Sequence, residues 1–153
     1  MQWSRSGIRI TTDLRDIDLQ AVHAYLTRSA WSPGISLDRV EKAAQNSVCF
    51  GLLDGNQTIG FARMVTDRAT FAYLCDVYIL EAYRGRGLSK WLMETVMNDP
   101  EFKDLRRVVL CTSTAHGLYH QFGFASLAKP EIYMEIHRPD VYQPREDRNM
   151  DHE

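Results

Sequence analysis

Two glycines and two arginines separate an apolar stretch from an amphipathic one, in Arg84-Gly85-Arg86-Gly87. Residues 71–80 are apolar on both alternating sides, which predicts a strand buried within a sheet. From Leu88 the apolar residues recur on one face of a helix predicted over residues 86–98. Glycines let backbone amides converge, and a helix N-terminus adds unpaired N–H groups and the positive end of its dipole. With two guanidinium groups beside them, these amides favour an anion, and we expect a phosphate.

The spacing of this loop distinguishes among phosphate-binding motifs. It lacks the P-loop pattern, and the dinucleotide pattern G-x-G-x-x-G would need a glycine where Lys90 stands. The loop resembles the acetyl-CoA pyrophosphate loop of the GNAT N-acetyltransferase superfamily, Q/R-x-x-G-x-G/A. Arg84, Gly87 and Ser89 occupy its defined positions, and Ser89 departs from the usual glycine or alanine. A plain glycine turn between a strand and a helix is the alternative.

The resemblance implies a set of coenzyme-binding residues. The loop expected to bind the pyrophosphate consists of Arg84, Gly85, Arg86, Gly87, Leu88, Ser89 and Lys90. In this family the strands corresponding to 71–80 and 107–112 splay apart. The main chain of Val77, Tyr78 and Ile79 is then expected to bind the pantetheine arm, and one amide to polarise the thioester carbonyl. Thr112 stands where the family often has an asparagine that contacts this arm.

A second motif lies in Ala115–Phe124, which is similar to the family pattern A-x-x-L-Y-x-x-x-G-F. The resemblance implies that Tyr119 points at the sulfur of the coenzyme and acts as a general acid. The alternative is that Tyr119 is a core aromatic. His116 and His120 are four residues apart, but they lack the glutamate of H-E-x-x-H and a third ligand, so no metal is expected.

Asp76 is an acidic residue inside an otherwise apolar strand. Because a buried carboxylate is costly without a partner, Asp76 is expected either to be paired or to face a cleft. In the second case it would receive the ammonium of an acceptor or accept its proton, directly or through water. Trp31, in the turn Trp31–Ile35, is a candidate wall of the acceptor site, together with residues 128–131.

The composition limits the possible partners and the compartment. A net charge of −2 gives no reason to expect binding to nucleic acid or to acidic membranes. No apolar stretch is long enough for a membrane span or resembles a signal peptide. The three cysteines, Cys49, Cys75 and Cys111, lie in apolar runs without C-x-x-C spacing, and we expect buried thiols in a reducing cytoplasm.

The predicted elements form one domain over residues 1–138. A strand at 8–12 precedes two helices, the first capped by Asp13 or Asp16 and the second by Ser36. Three strands follow, the first two joined by a hairpin at Asp54-Gly55-Asn56. A helix then leads to a parallel strand at 107–112, a short helix, and closing strands at Phe124–Leu127 and Glu131–His137. Residues 139–153 are polar and predicted to be a flexible tail.

This order of elements matches the GNAT fold: an α/β class with a central, mostly antiparallel mixed sheet, a splayed parallel pair and flanking helices. The implied function is direct transfer of the acetyl group of acetyl-CoA to a primary amine, which we expect to be a small molecule. A non-catalytic acyl-CoA-binding module and an acetyltransferase of protein N-termini or lysines are the alternatives. A homodimer is compatible with this resemblance, since members often dimerise through their late strands.

Overall fold

The computed structural model describes residues 1–144 and contains one six-stranded sheet with the order β1-β2-β3-β4-β5-β6. The strands are Gln2–Arg5, Ile8–Thr11, Val48–Asp54, Gln57–Thr66, Phe71–Ile79 and Arg107–Leu110. Neighbours are antiparallel except β5 and β6, which are parallel. The predicted class and parallel pair are therefore confirmed. The first strand, β1, was missed; it forms a hairpin with β2 through Ser6 and Gly7, both with positive φ.

Within residues 1–144, four α-helices accompany the sheet: α1 Leu19–Leu26, α2 Leu37–Gln45, α3 Leu88–Met97 and α4 His116–His120. Ser36 caps α2 as predicted, by accepting a hydrogen bond from the Arg39 amide. The predicted cap of α1 was wrong. Asp18 caps this helix, while Asp13 caps a separate 3-10 turn at Leu14–Asp16. Further 3-10 turns in the described part of the chain lie at Glu81–Tyr83, Pro100–Phe102 and Pro130–Ile132.

The sheet separates two apolar layers. Helix α3 packs on one face through Leu92, Met93 and Val96, against strand residues that include Phe50 and Met64. Helices α1 and α2 cover the other face. Their contacts there form a second cluster that includes Val22, Leu26, Val40, Cys49, Phe61 and Tyr78. Burial of each such large side chain contributes about 1.5–3 kcal/mol, so both faces of the sheet stabilise the position of β5 between them.

The C-terminal part of the chain differs from the prediction. Neither Phe124–Leu127 nor Glu131–His137 is a strand, and Pro130–Ile132 forms a 3-10 turn instead. These segments have the apolar residues of strands but no hydrogen-bonded neighbour in residues 1–144, so no ladder forms. Tyr142 packs under the guanidinium of Arg39, 5.2 Å from its ring centre. The packed chain therefore continues past residue 138; residues 145–153 of the predicted tail lie outside the described part.

The three cysteines differ in their exposure. Cys49 is buried, but Cys75 is only partly buried and Cys111 is exposed, so the expectation of three buried thiols was wrong. Within residues 1–144, no helix has the length and apolar character needed to cross a lipid bilayer.

Candidate functional site

The glycine loop opens onto a cleft at the C-terminal end of β5. Gly85 and Gly87 have φ values of 82° and 73°, and Gly87 is the N-cap of α3. No side chain of the described residues caps this helix, and a β-carbon on either glycine would have no atom within 4 Å. The cleft has a volume of about 280 Å³ and includes Ile79, Ser89 and Lys90 in its lining. Open space in front of uncapped amides fits an anionic group such as a pyrophosphate.

The two loop arginines have different surroundings. Arg84 donates from Nε to the Ile79 carbonyl at 3.1 Å and from Nη2 to the Tyr25 hydroxyl at 3.0 Å. It therefore braces the loop against β5 and α1. The exposed guanidinium of Arg86 lies 5.2 Å from the ring centre of Tyr83, at the rim of the cleft. Contact of either arginine with phosphate stays a prediction.

Strands β5 and β6 separate where the splayed pair was predicted. Their parallel pairing runs from Phe71 opposite Arg107 to Leu74 opposite Leu110 and goes no further, whereas β5 continues to Ile79. The side of β5 that faced β6 is therefore without a strand partner beyond Leu74 in the described chain. This leaves main-chain groups near Val77 and Ile79 beside the open end of the pair.

A β-bulge in β5 was not predicted. The register against β4 shifts between Phe61 and Arg63, and Asp76 has a positive φ of 56°. The extra residue changes the alternation of side chains: Val77 and Ile79 join the α3 layer, and Tyr78 joins the opposite layer. The one signal in the sequence was an aspartate, which tolerates this backbone region, inside an apolar strand.

The side chain of Tyr78 is buried away from the cleft. Its ring stacks on Tyr25 with centres 3.8 Å apart, and its hydroxyl has no hydrogen-bond partner among the described residues. Burial raises the pKa of Tyr78, and the neighbouring hydroxyl of Tyr25 raises it further. Only the main chain of Tyr78 therefore remains a candidate for coenzyme contact.

Tyr119 and Thr112 line a second, larger cleft. It has a volume of about 590 Å³ and lies between β6 and residues 124–127. Burial raises the pKa of Tyr119, which keeps its phenol protonated near neutral pH. The Thr112 hydroxyl oxygen accepts a hydrogen bond from the Ala115 amide at 3.0 Å, at the start of α4. Its own O–H can still donate a hydrogen bond to a ligand.

Helix α4 lies between the two clefts, because Leu118 and Gln121 line the loop cleft while Tyr119 lines the other. Tyr119 also packs on the layer of α3. The same short helix therefore borders the cleft of the glycine loop and the separate cleft that Tyr119 lines.

Asp76 is held in an ion pair, which was one of its two predicted environments. Its carboxylate accepts hydrogen bonds from Arg63 Nε at 2.9 Å and from Trp31 Nε1 at 3.1 Å. The Asp76 side chain is only 10% exposed. Burial alone would lower the pKa of Arg63, but Asp76 together with the nearby Cys75 and Cys49 outweighs this effect, and the pKa is raised. Asp76 and Arg63 line a cavity of about 60 Å³ rather than an open cleft. That volume is far below the few hundred Å³ typical of ligand pockets.

Trp31 contacts Asp76 but lies on the surface, and its role as a wall of the acceptor site stays a prediction. It is 49% exposed, and its ring centre is 6.2 Å from that of Tyr25. Arg28 was not predicted at all. It lies over the ring of Tyr25 and forms two hydrogen bonds with Glu81, at 2.8 and 3.1 Å. The hydrogen-bonded Arg28 lowers the pKa of Glu81 to about 2. No local pattern in the sequence indicated this pair, since its partners are 53 residues apart.

Sequence reasoning also missed Arg63, although an arginine inside the apolar strand β4 was a usable signal. A buried guanidinium needs a carboxylate, and Asp76 was the buried carboxylate without a partner. Among the described residues, no group of three or more histidine, cysteine, aspartate or glutamate side chains could hold a metal ion.

Comparisons with known proteins agree with this fold. A family model described as Acetyltransferase (GNAT) family matches residues 13–124. "Putative acetyltransferase FG08082" of Gibberella zeae is 30% identical over 143 residues, with coverage of 79% of this chain and 78% of that protein. The crystal structure of a GNAT-family protein from Xanthomonas campestris is 39% identical, with a TM-score of 0.88 and coverage of 92% and 100%.

A more distant structure shares the fold. It is a Clostridium acetobutylicum protein crystallised with acetyl-CoA, 18% identical, with a TM-score of 0.62 and coverage of 90% and 96%. The match of the family model covers both the glycine loop and the helix of Tyr119. With this match and the relatives from Gibberella and Xanthomonas, the chain belongs to the GNAT acetyltransferase family.

Proposed function

We propose that this protein is an acetyl-CoA-dependent N-acetyltransferase that acts on the primary amine of a small molecule. The observation that supports it most is the uncapped N-terminus of α3 behind Gly85 and Gly87, which borders an open cleft between the end of β5 and α4. Bound acetyl-CoA supplies an acetyl thioester, the group to be transferred. The backbone amides of Leu88, Ser89 and Lys90 then donate hydrogen bonds to the pyrophosphate.

The strand β5 has two roles in the proposed transfer. Its main chain at Val77 and Ile79 binds the pantetheine arm, and an amide there donates to the thioester carbonyl, where negative charge develops during attack. The bulge at Asp76 supports this assignment because it changes the orientation of the following residues relative to a regular strand.

The acceptor amine attacks in its neutral form, and the carbon–sulfur bond breaks as the carbon–nitrogen bond forms. Tyr119 then gives its phenolic proton to the departing thiolate. A thiol has a pKa of about 8.5 and a tyrosine about 10 in water, so this transfer is uphill by about 2 kcal/mol at 1.4 kcal/mol per unit. Burial of Tyr119 raises its pKa and adds to that cost. The same burial also weakens solvation of the thiolate, which raises the pKa of the leaving thiol in parallel.

For the acceptor, the contacts favour a positioning role of Asp76 over direct proton transfer. Both carboxylate oxygens already accept hydrogen bonds, one from Arg63 and one from Trp31. Asp76 therefore orients the indole of Trp31, whose exposed face is the proposed wall for an aromatic or alkyl amine. The ammonium form of the acceptor therefore loses a proton to water, rather than to Asp76, before the neutral amine attacks.

The test is release of free CoA from acetyl-CoA with a panel of small amines, a peptide with a free N-terminus and a lysine peptide. We expect thiol release with one or more small amines and greatly reduced release in Tyr119→Phe. Tyr133→Phe is the matched control, because Tyr133 is 40% exposed and lines neither of the two clefts.

The panel distinguishes the class of acceptor, a catalytic from a non-catalytic protein, and the role of Tyr119. Release with peptides alone would replace the small molecule by a protein acceptor. Binding of acetyl-CoA without release by any amine would favour a non-catalytic acyl-CoA-binding module. Equal turnover of Tyr119→Phe and wild type would remove Tyr119 from the mechanism.

A further inference from the structure

The small cavity at the ion pair of Asp76 and Arg63 lies on the face of the sheet that α1 and α2 cover. Its volume is about 60 Å³, and it is called the recess below. Its walls are buried apolar side chains of α1, α2, β4 and the turn between the helices: Leu26, Ile35, Val40 and Phe61. Apolar walls with a few placed polar groups are the usual composition of a small-molecule site.

The recess adjoins the proposed acceptor wall. The Asp76 carboxylate that lines the recess also accepts the indole N–H of Trp31 at 3.1 Å. Ser32, the residue after Trp31, is a further part of the lining. Asp76 is also the bulge residue directly before Val77, whose main chain is proposed to contact the coenzyme. An acceptor on the indole of Trp31 therefore has the recess beside it.

Tyr142 and Arg39 close one side of the recess. Both belong to its lining, and the ring centre of Tyr142 lies 5.2 Å from the guanidinium of Arg39. Tyr142 also packs against the apolar cluster between the sheet and the helices α1 and α2. Its carbonyl oxygen is so close to Gly34 that a β-carbon there would lie only 3.1 Å away. The aromatic ring thus bounds the space next to the ion pair.

Residues 139–144, called the C-terminal strap, are held in place by this one ring more than by the backbone. The backbone hydrogen bonds of the strap are local, as in the bond from the Gln143 amide to the Asp140 carbonyl at 3.0 Å. The preceding residues 133–138 belong to no helix or strand. Because no ladder fixes the strap, it can open locally at a low free energy and admit a ligand to the recess under Tyr142.

The volume of the recess limits the group that it can hold. An apolar cavity of about 150 Å³ binds benzene. The recess, at about 60 Å³, is well below that volume, so it takes a short alkyl group and excludes an aromatic ring. The side chain of Tyr142 occupies the space that an aromatic substituent would need.

We propose that the recess binds the alkyl group of the acceptor amine and that Tyr142 sets the upper limit on its size. This inference rests on the proposed function and narrows it, since it selects short primary alkyl amines over aromatic ones. The alkyl group contacts Val40 and Phe61, while the amine remains at the end of the recess near Asp76. Tyr142 therefore determines specificity without a part in the transfer itself.

The first experiment compares n-propylamine with benzylamine as acceptors, by kcat/KM for CoA release. Wild type should prefer n-propylamine. Tyr142→Ala removes the ring, so the ratio of benzylamine to n-propylamine should rise by about tenfold or more. Because the ratio is compared between variants, the different basicities of the two amines cancel. Tyr142→Phe keeps the ring over Arg39 and should retain the preference for n-propylamine.

Tyr133→Ala is the matched control. The ring of Tyr133 also lies over an arginine, 5.6 Å from the guanidinium of Arg107, but Tyr133 does not line the recess. An unchanged ratio in Tyr142→Ala, or an equal rise in Tyr133→Ala, would overturn the inference. So would CoA release by wild type with other small amines but with neither of these two. In those cases the proposed function still holds, whereas no release with any amine contradicts the proposed function itself.

The second experiment measures access to the recess without turnover. Val40→Cys places a thiol at a wall position that is only 4% exposed, and methyl methanethiosulfonate is a small neutral reagent that labels it. Adding Tyr142→Ala should raise the labelling rate about tenfold, because a covered side chain reacts only after local opening. Adding Tyr133→Ala should leave the rate unchanged.

The exposed native thiol of Cys111 supplies the reference rate in every variant, and peptide mapping by mass spectrometry separates the two sites. Circular dichroism checks that each variant retains the fold. Equal labelling of Val40→Cys with and without the Tyr142 ring would show that this ring does not cover the recess. That result would contradict the inference whatever the outcome of the CoA release assay.

Discussion

The indole of Trp31 donates a hydrogen bond of 3.1 Å to the carboxylate of Asp76, across 45 residues of sequence. The other carboxylate oxygen accepts Arg63 at 2.9 Å, and Arg63 in turn donates to Ser47 at 3.0 Å. This chain of contacts connects an exposed aromatic ring to a bulge in β5 and to the neighbouring strand. The position of Trp31 is thus coupled to the strand that is proposed to bind the coenzyme.

Removal of the Asp76 carboxylate is expected to destabilise the protein strongly. In Asp76→Ala the guanidinium of Arg63, whose side chain is only 18% exposed, loses its counter-charge, and breaking such a pair costs about 3–5 kcal/mol. Trp31→Phe removes only one hydrogen bond at a half-exposed side chain, for about 1 kcal/mol. Urea unfolding measures both free energies. Equal losses in the two variants would show that the ion pair contributes nothing beyond the indole contact.

Asp76→Asn separates a positioning role from proton transfer. Asparagine has one acceptor oxygen and an NH2 group in place of the two carboxylate oxygens that accept from Trp31 and Arg63, so the indole is held less firmly. We therefore expect a raised KM for the amine, a smaller change in kcat, and an unchanged acidic limb of the profile of kcat against pH. The measurement is steady-state thiol release over pH 5–9. Disappearance of the acidic limb in this variant would instead identify Asp76 as the group that accepts the proton.

Lysine and arginine at the glycine loop are expected to act on the pyrophosphate alone. Arg86→Ala and Lys90→Ala each remove a charged donor near the amides of α3, for about a tenfold loss in acetyl-CoA affinity. Turnover of acetyl-pantetheine, which has no pyrophosphate, should not change. Calorimetry measures the first effect and thiol release the second, with Lys42→Ala on the surface of α2 as the control. If the variants were impaired equally with acetyl-CoA and with acetyl-pantetheine, the substitutions would have distorted the loop rather than removed a contact with phosphate.

Much of this arrangement could be predicted because it is local. The hairpin at Asp54–Asn56, the cap at Ser36 and the glycine loop each depend on a few adjacent residues whose preferences agree with the final structure. The parallel pairing of β5 and β6 followed from the helix between them. The residue types of the second motif indicated the helix that positions Tyr119.

The features that were missed depend on distant parts of the chain. The ion pair of Asp76 with Arg63 joins two strands through a bulge, and the aromatic stack of Tyr78 on Tyr25 joins a strand to a helix. The prediction of closing strands at Phe124–Leu127 and Glu131–His137 was wrong, because a strand needs a neighbour to pair with as well as apolar residues. Residues 133–138 have none within the described chain, so the pattern alone could not establish their structure.

Tyr119→Phe is expected to reduce kcat by a factor of about 10²–10⁴, the usual range for a lost general acid, with little change in acetyl-CoA affinity. The phenol works only while protonated, so activity should fall as pH rises through its pKa. Burial places that pKa above the usual value of about 10, and the alkaline limb should lie there. The profile of kcat against pH measures this, and the limb should be absent from the residual activity of Tyr119→Phe. An alkaline limb that persists in the variant would assign it to another group.

Gly60 tests the close approach of β4 to β5 beside the site. A β-carbon there would lie 3.0 Å from the Tyr78 carbonyl oxygen and 3.1 Å from the β-carbon of Leu52. Because these neighbours are backbone or backbone-adjacent atoms and cannot move freely, Gly60→Ala should cost about 1–3 kcal/mol of unfolding free energy.

The strain of Gly60→Ala should also displace β5 at Ile79, which lies opposite Gly60, and so raise the KM for acetyl-CoA. Gly117→Ala is the control: a β-carbon meets nothing within 4 Å there, and replacing a helical glycine should stabilise the protein by about 0.5–1 kcal/mol. Urea unfolding measures the change in unfolding free energy, which should fall in Gly60→Ala and rise in Gly117→Ala. If Gly60→Ala were as stable as wild type, β4 and β5 would be able to separate at Ile79 without cost, and the rigid placement of the pantetheine-binding main chain would lose its support.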